Sequence, residues 1–199
     1  MPKSLVTILQ RKLATLDRIR DKQESNFIRH QIGVRDIEEV YGAIFLNAIA
    51  SFEGYLEELF IDLLVGRIRK IHCNVRIDIK SDLVAREVIF RDKRYFNWLP
   101  YSNTKEAAGI FFTGGRPFTL LTQDEEDHLK KCSYIRNAIA HQSRYAIDLF
   151  NKKILEGLTL GPRDRRPKSL LRCQFSLSPP TNYYQQYVGK IFAIASRLC

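Results

Sequence analysis

The stretch from residue 34 to residue 71 constrains the fold more than any other part of the chain. Apolar side chains recur there every three or four residues, at Val40, Ile44, Ile49, Phe52, Leu56, Leu59, Phe60, Leu63 and Leu64. This spacing is typical of an α-helix with one broad buried face, and no proline interrupts it. The pattern also contains Gly42, Gly54 and Gly66, each of which costs about 1 kcal/mol relative to alanine. We therefore predict one very long helix, which a glycine can kink.

Further helices are predicted on both sides of it. Residues 4–23 have helical spacing behind a potential N-cap at Ser4, and this helix can run on to about Gln31. A short helix is predicted to begin at Ser81 or Asp82 and to end at Phe90. Residues 91–121 contain prolines and a Gly-Gly pair, so they are predicted to be irregular. The aromatic cluster at 95–101 indicates a plug for the core or for a dimer interface, or else a surface that stacks on bases.

A second long helix is predicted from residue 122 through Ile154, ending near Gly157. Thr122 and Glu125 have the spacing of a capping box. Residues 158–177 are predicted to form a small β-hairpin with Arg163 in its loop, and residues 180–198 return to helical spacing. The expected fold is all-α. We expect a single domain over 1–199, with its core in 34–155 and a C-terminal hairpin and helix in 158–198.

Composition limits the class of protein. The chain is 45% hydrophobic, which indicates a packed globule, and it has no apolar run of about 20 residues. The N-terminus lacks the apolar stretch of a secretory signal, so a soluble, cytoplasmic protein without a membrane association is expected. The cysteines form no C-x-x-C pair and the histidines have no ligand spacing. We predict reduced thiols, no metal site and no cofactor.

The formal net charge of +10 favours a polyanionic partner, with nucleic acid first. The charge is unevenly distributed along the chain. Residues 34–64 have seven acidic residues and one Arg, whereas residues 67–94 have nine Lys or Arg and four acidic residues. Residues 157–172 have five basic residues and one acidic residue. This clustering indicates an acidic face that lies apart from the basic segments.

One polar segment interrupts the second long helix, with Arg136, Asn137, His141 and Arg144 in its middle. Imidazole can transfer a proton near neutral pH, and guanidinium can stabilise the extra charge on a phosphate in the transition state. RNA supplies its own nucleophile, the 2′-hydroxyl, so such a site needs no metal. Arg136 and His141 are five residues apart and diverge by about 140° around an ideal helix. An ordinary surface or core role is the alternative interpretation of these side chains.

The sequence Arg-Asn-Ala-Ile-Ala-His at residues 136–141 resembles the R-x(4–6)-H motif of the HEPN superfamily. The sequence Phe-Leu-Asn-Ala-Ile-Ala-Ser-Phe-Glu-Gly-Tyr-Leu-Glu at residues 45–57 resembles the early helix of that superfamily, especially in its RiboL-PSP-HEPN branch. The likeness covers residues 34–71 and 122–155. It implies a helical bundle whose motif lies on a late helix, behind a long early helix.

The resemblance implies a metal-independent RNA endonuclease, of a kind found among toxins and antiphage effectors. Arg136 and His141 would be the catalytic pair, with support from Asn137 and from an acidic residue of the early helix, for which Glu53 is the candidate. A homodimer that brings two motifs to one cleft is implied as well. A neutralising antitoxin, such as a minimal nucleotidyltransferase, is a further partner to expect. The alternative is a non-catalytic HEPN module that serves as a nucleic-acid or partner adaptor.

Contacts with RNA outside the catalytic motif are predicted for four arginines. Guanidinium groups displace counterions from phosphates and so favour RNA binding. The candidates are Arg144, Arg163, Arg165 and Arg166. A solvated surface loop is the alternative interpretation for the last three.

Overall fold

The fold is built on a helical hairpin formed by its first two helices. The computed structural model describes residues 4–68, 74–77, 79–90 and 95–198; Cys73 and Cys199 lie outside them. Helix α1 spans Leu5–Ile28 and α2 spans Val34–Leu64, and the two pack along each other. The Ser4 hydroxyl accepts a hydrogen bond from the Thr7 N–H at 3.2 Å, which confirms the predicted N-cap.

Helix α2 confirms the prediction of a very long helix, although its end was predicted wrongly. It begins after Gly33, whose N–H donates to a carboxylate oxygen of Asp36 at 2.8 Å. It ends at Leu64 rather than at residue 71, because Gly66 adopts a left-handed backbone with a φ of 76°. At Gly42 the stem of Lys168 packs so closely that an added Cβ would lie 3.0 Å from it. The glycine therefore permits a close contact with a later segment.

Six further helices surround this hairpin in the described part of the chain. They are α3 (Asp82–Phe90), α4 (Tyr101–Phe111), α5 (Gln123–His141), α6 (Arg144–Phe150), α7 (Pro167–Arg172) and α8 (Tyr183–Leu198). Helix α2 contacts α1, α3, α5, α7 and α8, so it forms the centre of the bundle. The all-α fold class is confirmed. Among the described residues, no helix combines the length and apolar character that crossing a membrane would require.

Two predictions for residues 91–157 are wrong: one helix was missed, and another was predicted as continuous although it is divided. Helix α4 lies in the stretch predicted to be irregular; its buried positions include Thr104, Ala107 and Ala108, which are too small or too polar to mark a helix by hydrophobicity. The helix predicted from residue 122 through Ile154 is divided into α5, α6 and a π-helical turn over Asn151–Leu155. The predicted capping box is present, because Thr122 and Glu125 exchange side-chain and backbone hydrogen bonds.

The small β-hairpin is present but lies further along the chain than predicted. Strand β1 spans Gln174–Leu177 and pairs antiparallel with β2, Pro180–Asn182. Residues 158–160 are not part of a strand, and Arg163 lies before helix α7 rather than in the hairpin loop. Pro167 at the start of α7 explains the difference, because proline favours the first turn of a helix.

The core is one continuous cluster that extends from Leu9 to Leu198. Its aromatic centre is Phe60 of α2. The rings of Phe112, Phe118 and Trp98 pack against Phe60 with centroid distances of 4.8, 5.1 and 5.3 Å. The core interpretation of the aromatic segment is therefore confirmed for Trp98, which is buried, whereas Tyr95 is 68% exposed.

His128 of α5 is buried in this core as a neutral side chain. Its Nε2 lies 3.1 Å from the carbonyl oxygen of Tyr187 in α8, so Nε2–H donates to that oxygen. Burial lowers the pKa of His128 to about 4, from an ordinary value of 6.5. The cost of protonating this ring inside the folded protein makes His128 a source of acid instability.

We expect His128→Gln to weaken the pH dependence of stability on the acid side. The folded pKa lies below the unfolded one, so the contribution of His128 is complete above pH 6.5 and is lost as the pH falls towards 4. The loss is on the order of 2–3 kcal/mol in the free energy of unfolding. Urea unfolding of both proteins at a series of pH values measures it. Parallel pH profiles for the wild type and the variant would contradict the assignment.

Candidate functional site

The polar motif lies where helix α5 ends. The buried face of this helix includes Ile135 and Ile139, which pack into the core. The helix ends at His141 because Gln142 adopts a left-handed backbone with a φ of 48°. Ser143 then caps α6 by accepting a hydrogen bond from the Ala146 N–H at 3.2 Å. His141 is therefore exposed at the end of a helix and beside a sharp turn.

Arg136 and His141 meet within one chain. Nη1 of Arg136 lies 3.5 Å from Nε2 of His141, at the outer limit of a hydrogen bond. Guanidinium only donates, so Nε2 of His141 is the acceptor in this contact. The expectation that the two side chains diverge is wrong, because the long arginine side chain reaches across the 140° between their directions.

Asn137 contacts the guanidinium of this pair. Its Oδ1 accepts a hydrogen bond from Nη1 of Arg136 at 2.9 Å. The described residues show no hydrogen bond between Asn137 and His141, so the support that we expected from Asn137 reaches Arg136 and not the imidazole. The amide thereby limits the positions that the Arg136 side chain adopts.

Glu53 of helix α2 lies within electrostatic reach of Arg136. Burial raises the pKa of the Glu53 carboxyl above its usual range, and the positive charge of Arg136 opposes that rise. Within the described part of the chain, Glu53 has no hydrogen-bonding or ion-pairing partner. The other six acidic residues of α2 all have one: Asp36, Glu38, Glu39, Glu57, Glu58 and Asp62.

The structure thus brings together three of the predicted catalytic groups around one guanidinium. Arg136 contacts Asn137 and His141 directly, and its charge acts on Glu53. An imidazole, a guanidinium and a carboxyl with a raised pKa can take a proton, stabilise an anion and give a proton, in that order. This combination suits the cleavage of a phosphodiester.

The predicted RNA-binding arginines divide into two groups. Arg144 begins α6, close to His141 in the sequence, and its side chain is 97% exposed with only a 3.9 Å contact to Asp148. Arg166 instead forms an ion pair with the buried Glu38 at 3.0 Å. Glu38 precedes Glu53 by 15 residues, which corresponds to about 22 Å along α2. Arg144 is therefore an exposed cation three residues after His141, whereas Arg166 lies away from Glu53.

Arg163 and Arg165 lie in the loop before α7. Arg165 is exposed, and Arg163 lines a polar cleft of about 760 Å³ together with Glu24, Tyr41 and Arg172. In this cleft Arg172 donates two hydrogen bonds to Glu24, at 2.8 and 3.1 Å. The cleft is thus stabilised by its own ion pairs.

Two small residues of the motif differ in their surroundings. Small side chains can let another chain approach closely, but Ala138 is buried in the core of its own chain, whereas Ala140 is exposed. Metal ligands are not grouped in the described residues, where no three His, Cys, Asp or Glu side chains could hold an ion together.

A second carboxylate of α2, on the same face as Glu53, has contacts that the sequence motif does not indicate. Glu57, one helical turn after Glu53, accepts a hydrogen bond from Nε1 of Trp98 at 3.1 Å and forms an ion pair with Arg86 of α3. The i, i+4 spacing of Glu53 and Glu57 was the available signal, since it places both carboxyls on one face of the helix. Trp98 was predicted as part of an aromatic cluster, without this connection to the site.

Comparisons with known proteins give no further assignment. The chain matches no protein-family model, no curated protein and no solved structure.

The coupling between Arg136 and Glu53 leads to a testable prediction. We expect Arg136→Gln to raise the pKa of Glu53 further, because the variant removes the one charge that opposes the effect of burial. The measurement is an NMR titration of the Glu53 side-chain carboxyl carbon. Arg144→Gln is the matched control, since its exposed charge should leave this pKa nearly unchanged. A Glu53 pKa that stays constant or falls in Arg136→Gln would refute the coupling.

Proposed function

We propose that this chain is a metal-independent RNA endonuclease of the HEPN type. The observation that carries the proposal is the 3.5 Å contact between Arg136 and His141 at the exposed end of α5. The unpartnered Glu53 beside Arg136 supports it. The resemblance of residues 136–141 to the R-x(4–6)-H motif assigns these same two residues to catalysis.

The proposed reaction is a transesterification within the RNA. As the Arg136 guanidinium turns from Nε2 of His141 to the bound phosphate, that nitrogen accepts the proton of the 2′-hydroxyl, and the 2′-oxygen forms a bond to the adjacent phosphorus. Arg136 stabilises the negative charge that develops on the phosphoryl oxygens. The bond from phosphorus to the 5′-oxygen breaks, and that oxygen takes a proton from Glu53. The products are a 2′,3′-cyclic phosphate and a 5′-hydroxyl.

Glu53 suits the role of the acid because of its surroundings. A carboxyl whose pKa is raised by burial keeps its proton closer to neutral pH than an exposed one does. Arg136 interacts with both proton carriers, since it contacts His141 and acts electrostatically on Glu53. A phosphate bound by Arg136 would therefore have a base and an acid on either side.

The remaining assignments complete the proposal. Asn137 positions the Arg136 guanidinium, and Arg144 contacts a neighbouring phosphate from the first turn of α6. Arg163 and Arg165 provide weaker contacts to a longer RNA. The protein acts in the cytoplasm as a toxin or antiphage effector, and an antitoxin such as a minimal nucleotidyltransferase restrains it.

We expect the purified protein to cleave single-stranded RNA in EDTA and to leave 2′,3′-cyclic phosphate ends. His141→Ala should lower the rate by about 10²- to 10⁴-fold, because it removes the proton acceptor. Arg136→Ala should lower it by about 10²- to 10³-fold, because it removes the charge that stabilises the transition state. The readouts are gel analysis of labelled RNA and mass spectrometry of the new ends.

Controls separate this activity from a contaminating nuclease. Arg11→Ala on α1 and His30→Asn remove the same side-chain types elsewhere on the surface and should retain full activity; Asn tolerates the positive φ of residue 30. A 2′-deoxy sugar at the scissile position should block cleavage. Cleavage of that substrate, or strict dependence on magnesium, would refute the mechanism. RNA binding without any cleavage would instead favour a non-catalytic adaptor.

A homodimer with the two motifs in one cleft is also part of the proposal. Its support is the resemblance, together with the exposed surface around His141, Arg144 and Tyr145. We expect the activity per chain to fall on dilution in step with the dimer fraction, because each cleft then loses one of its two motifs. Mass photometry and initial rates at matched concentrations measure both quantities. Monomers that cut RNA at an undiminished rate per chain would show that one Arg136–His141 pair is sufficient.

A further inference from the structure

A groove of about 690 Å³ opens between α3, α4 and the segment that precedes α4. Its walls are mainly apolar and aromatic, and they include exposed parts of Val88, Ile110 and Tyr95. Tyr95 is 68% exposed, although it lies among aromatic residues that are otherwise largely buried. The volume is in the range of ordinary small-ligand sites, about 300–1,000 Å³.

A series of neighbouring side chains connects this groove to the proposed catalytic site. Glu53 and Glu57 lie one turn apart on the same face of α2, with Cβ atoms about 6 Å from each other. Glu57 accepts a hydrogen bond from the Trp98 indole at 3.1 Å. The Trp98 ring packs against Phe96 with a centroid distance of 4.7 Å, and Phe96 lines the groove. The groove therefore begins only a few side chains from Glu53.

Two side-chain amides provide hydrogen-bonding groups in the groove. Asn97 makes no side-chain hydrogen bond to another described residue, so its amide can both donate and accept. Asn103 uses its amide nitrogen to bind the carbonyl oxygen of Asn97 at 3.1 Å, which leaves its Oδ1 as an acceptor. Amides next to an exposed aromatic ring are a combination that can bind the edge and the face of a nucleobase.

The charge of the groove indicates which part of an RNA would enter it. Its described lining contains no Lys or Arg, and it contains the carboxylate of Glu106. A phosphate beside the Glu106 carboxylate would be repelled, whereas an uncharged base would not. The bases of a bound strand are therefore the part that this groove favours.

We infer that this groove binds unpaired nucleobases of the RNA that the catalytic site cuts, with Tyr95 as the stacking platform. The inference rests on the proposed function and adds a binding subsite to it, which holds unstacked bases beside the cleavage point of the single strand. Bases in a duplex are paired and stacked inside the helix, so they cannot enter a groove of this kind. Tyr95 determines specificity in this arrangement and does not take part in the chemistry.

The test measures base stacking separately from cleavage. His141→Ala protein is titrated with a single-stranded RNA in which 2-aminopurine replaces one base at a time, and with the same strand in a duplex. We expect fluorescence quenching at one or two positions of the single strand, and none in the duplex. Adding Tyr95→Ser should remove that quenching and raise the Kd by about 5- to 100-fold, whereas Tyr95→Phe should retain both.

Two controls complete the design. Phe175→Ser removes another exposed aromatic side chain, on strand β1, and should leave the Kd unchanged. In the background with His141 intact, Tyr95→Ser should raise KM by a similar factor and leave kcat within about twofold, because the ring binds the substrate without touching the scissile phosphate.

Each outcome bears on one of the two proposals. Quenching that depends on Tyr95 in a protein that never cleaves RNA would support the groove and refute the nuclease. Cleavage with equal Kd, KM and quenching in Tyr95→Ser would refute the groove and retain the nuclease. A Tyr95→Ser protein whose mass in solution differs from that of the wild type would show that the groove is a protein interface, which also overturns the inference.

Discussion

Ion pairs between the carboxylates of α2 and arginine or lysine side chains position the elements that surround this helix. Helix α2 is central, and its acidic residues contact segments from several parts of the chain. Glu57 and Glu58 both bind Arg86, which holds α3 against the bundle. Near the other end, Glu38 binds Arg166 and Glu39 binds Lys168. The exposed pairs among them contribute at most about 1 kcal/mol each, so their main effect is to select the positions of the outer elements.

Glu53 differs from the other acidic residues of α2 because it has no hydrogen-bonding or ion-pairing partner among the described residues. A half-buried carboxylate without a partner is unfavourable, and the rest of α2 shows that cations were available for pairing. The structure instead places Arg136 where its charge reaches Glu53 while its Nη1 contacts Asn137 and His141. Functional groups are often kept in surroundings that destabilise the fold. A carboxyl with a perturbed pKa, for example, is useful for proton transfer.

Much of the fold followed from periodicity and from capping residues. The long α2, the N-cap at Ser4 and the capping box at Thr122 were predictable, because each depends on local sequence. The break after His141 was not, because Gln142 adopts a positive φ without being a glycine. Helix α4 escaped prediction because small residues form much of its buried face. For the candidate site, the motif at residues 136–141 selects the residues. The Arg136–His141 contact could not be predicted from the 140° between their positions on a helix, because that angle takes no account of side-chain length.

The net charge of +10 is a weaker guide to partners than it first suggests. The acidic face and the basic segments were expected to lie apart, yet cations from both basic segments pair with α2. Arg67 and Arg86 come from one segment, and Arg166 and Lys168 come from the other. A cation that is already paired inside the protein displaces few counterions from RNA. The exposed Arg144 and Arg165 are therefore more available to a phosphate than Arg166, which is paired with Glu38.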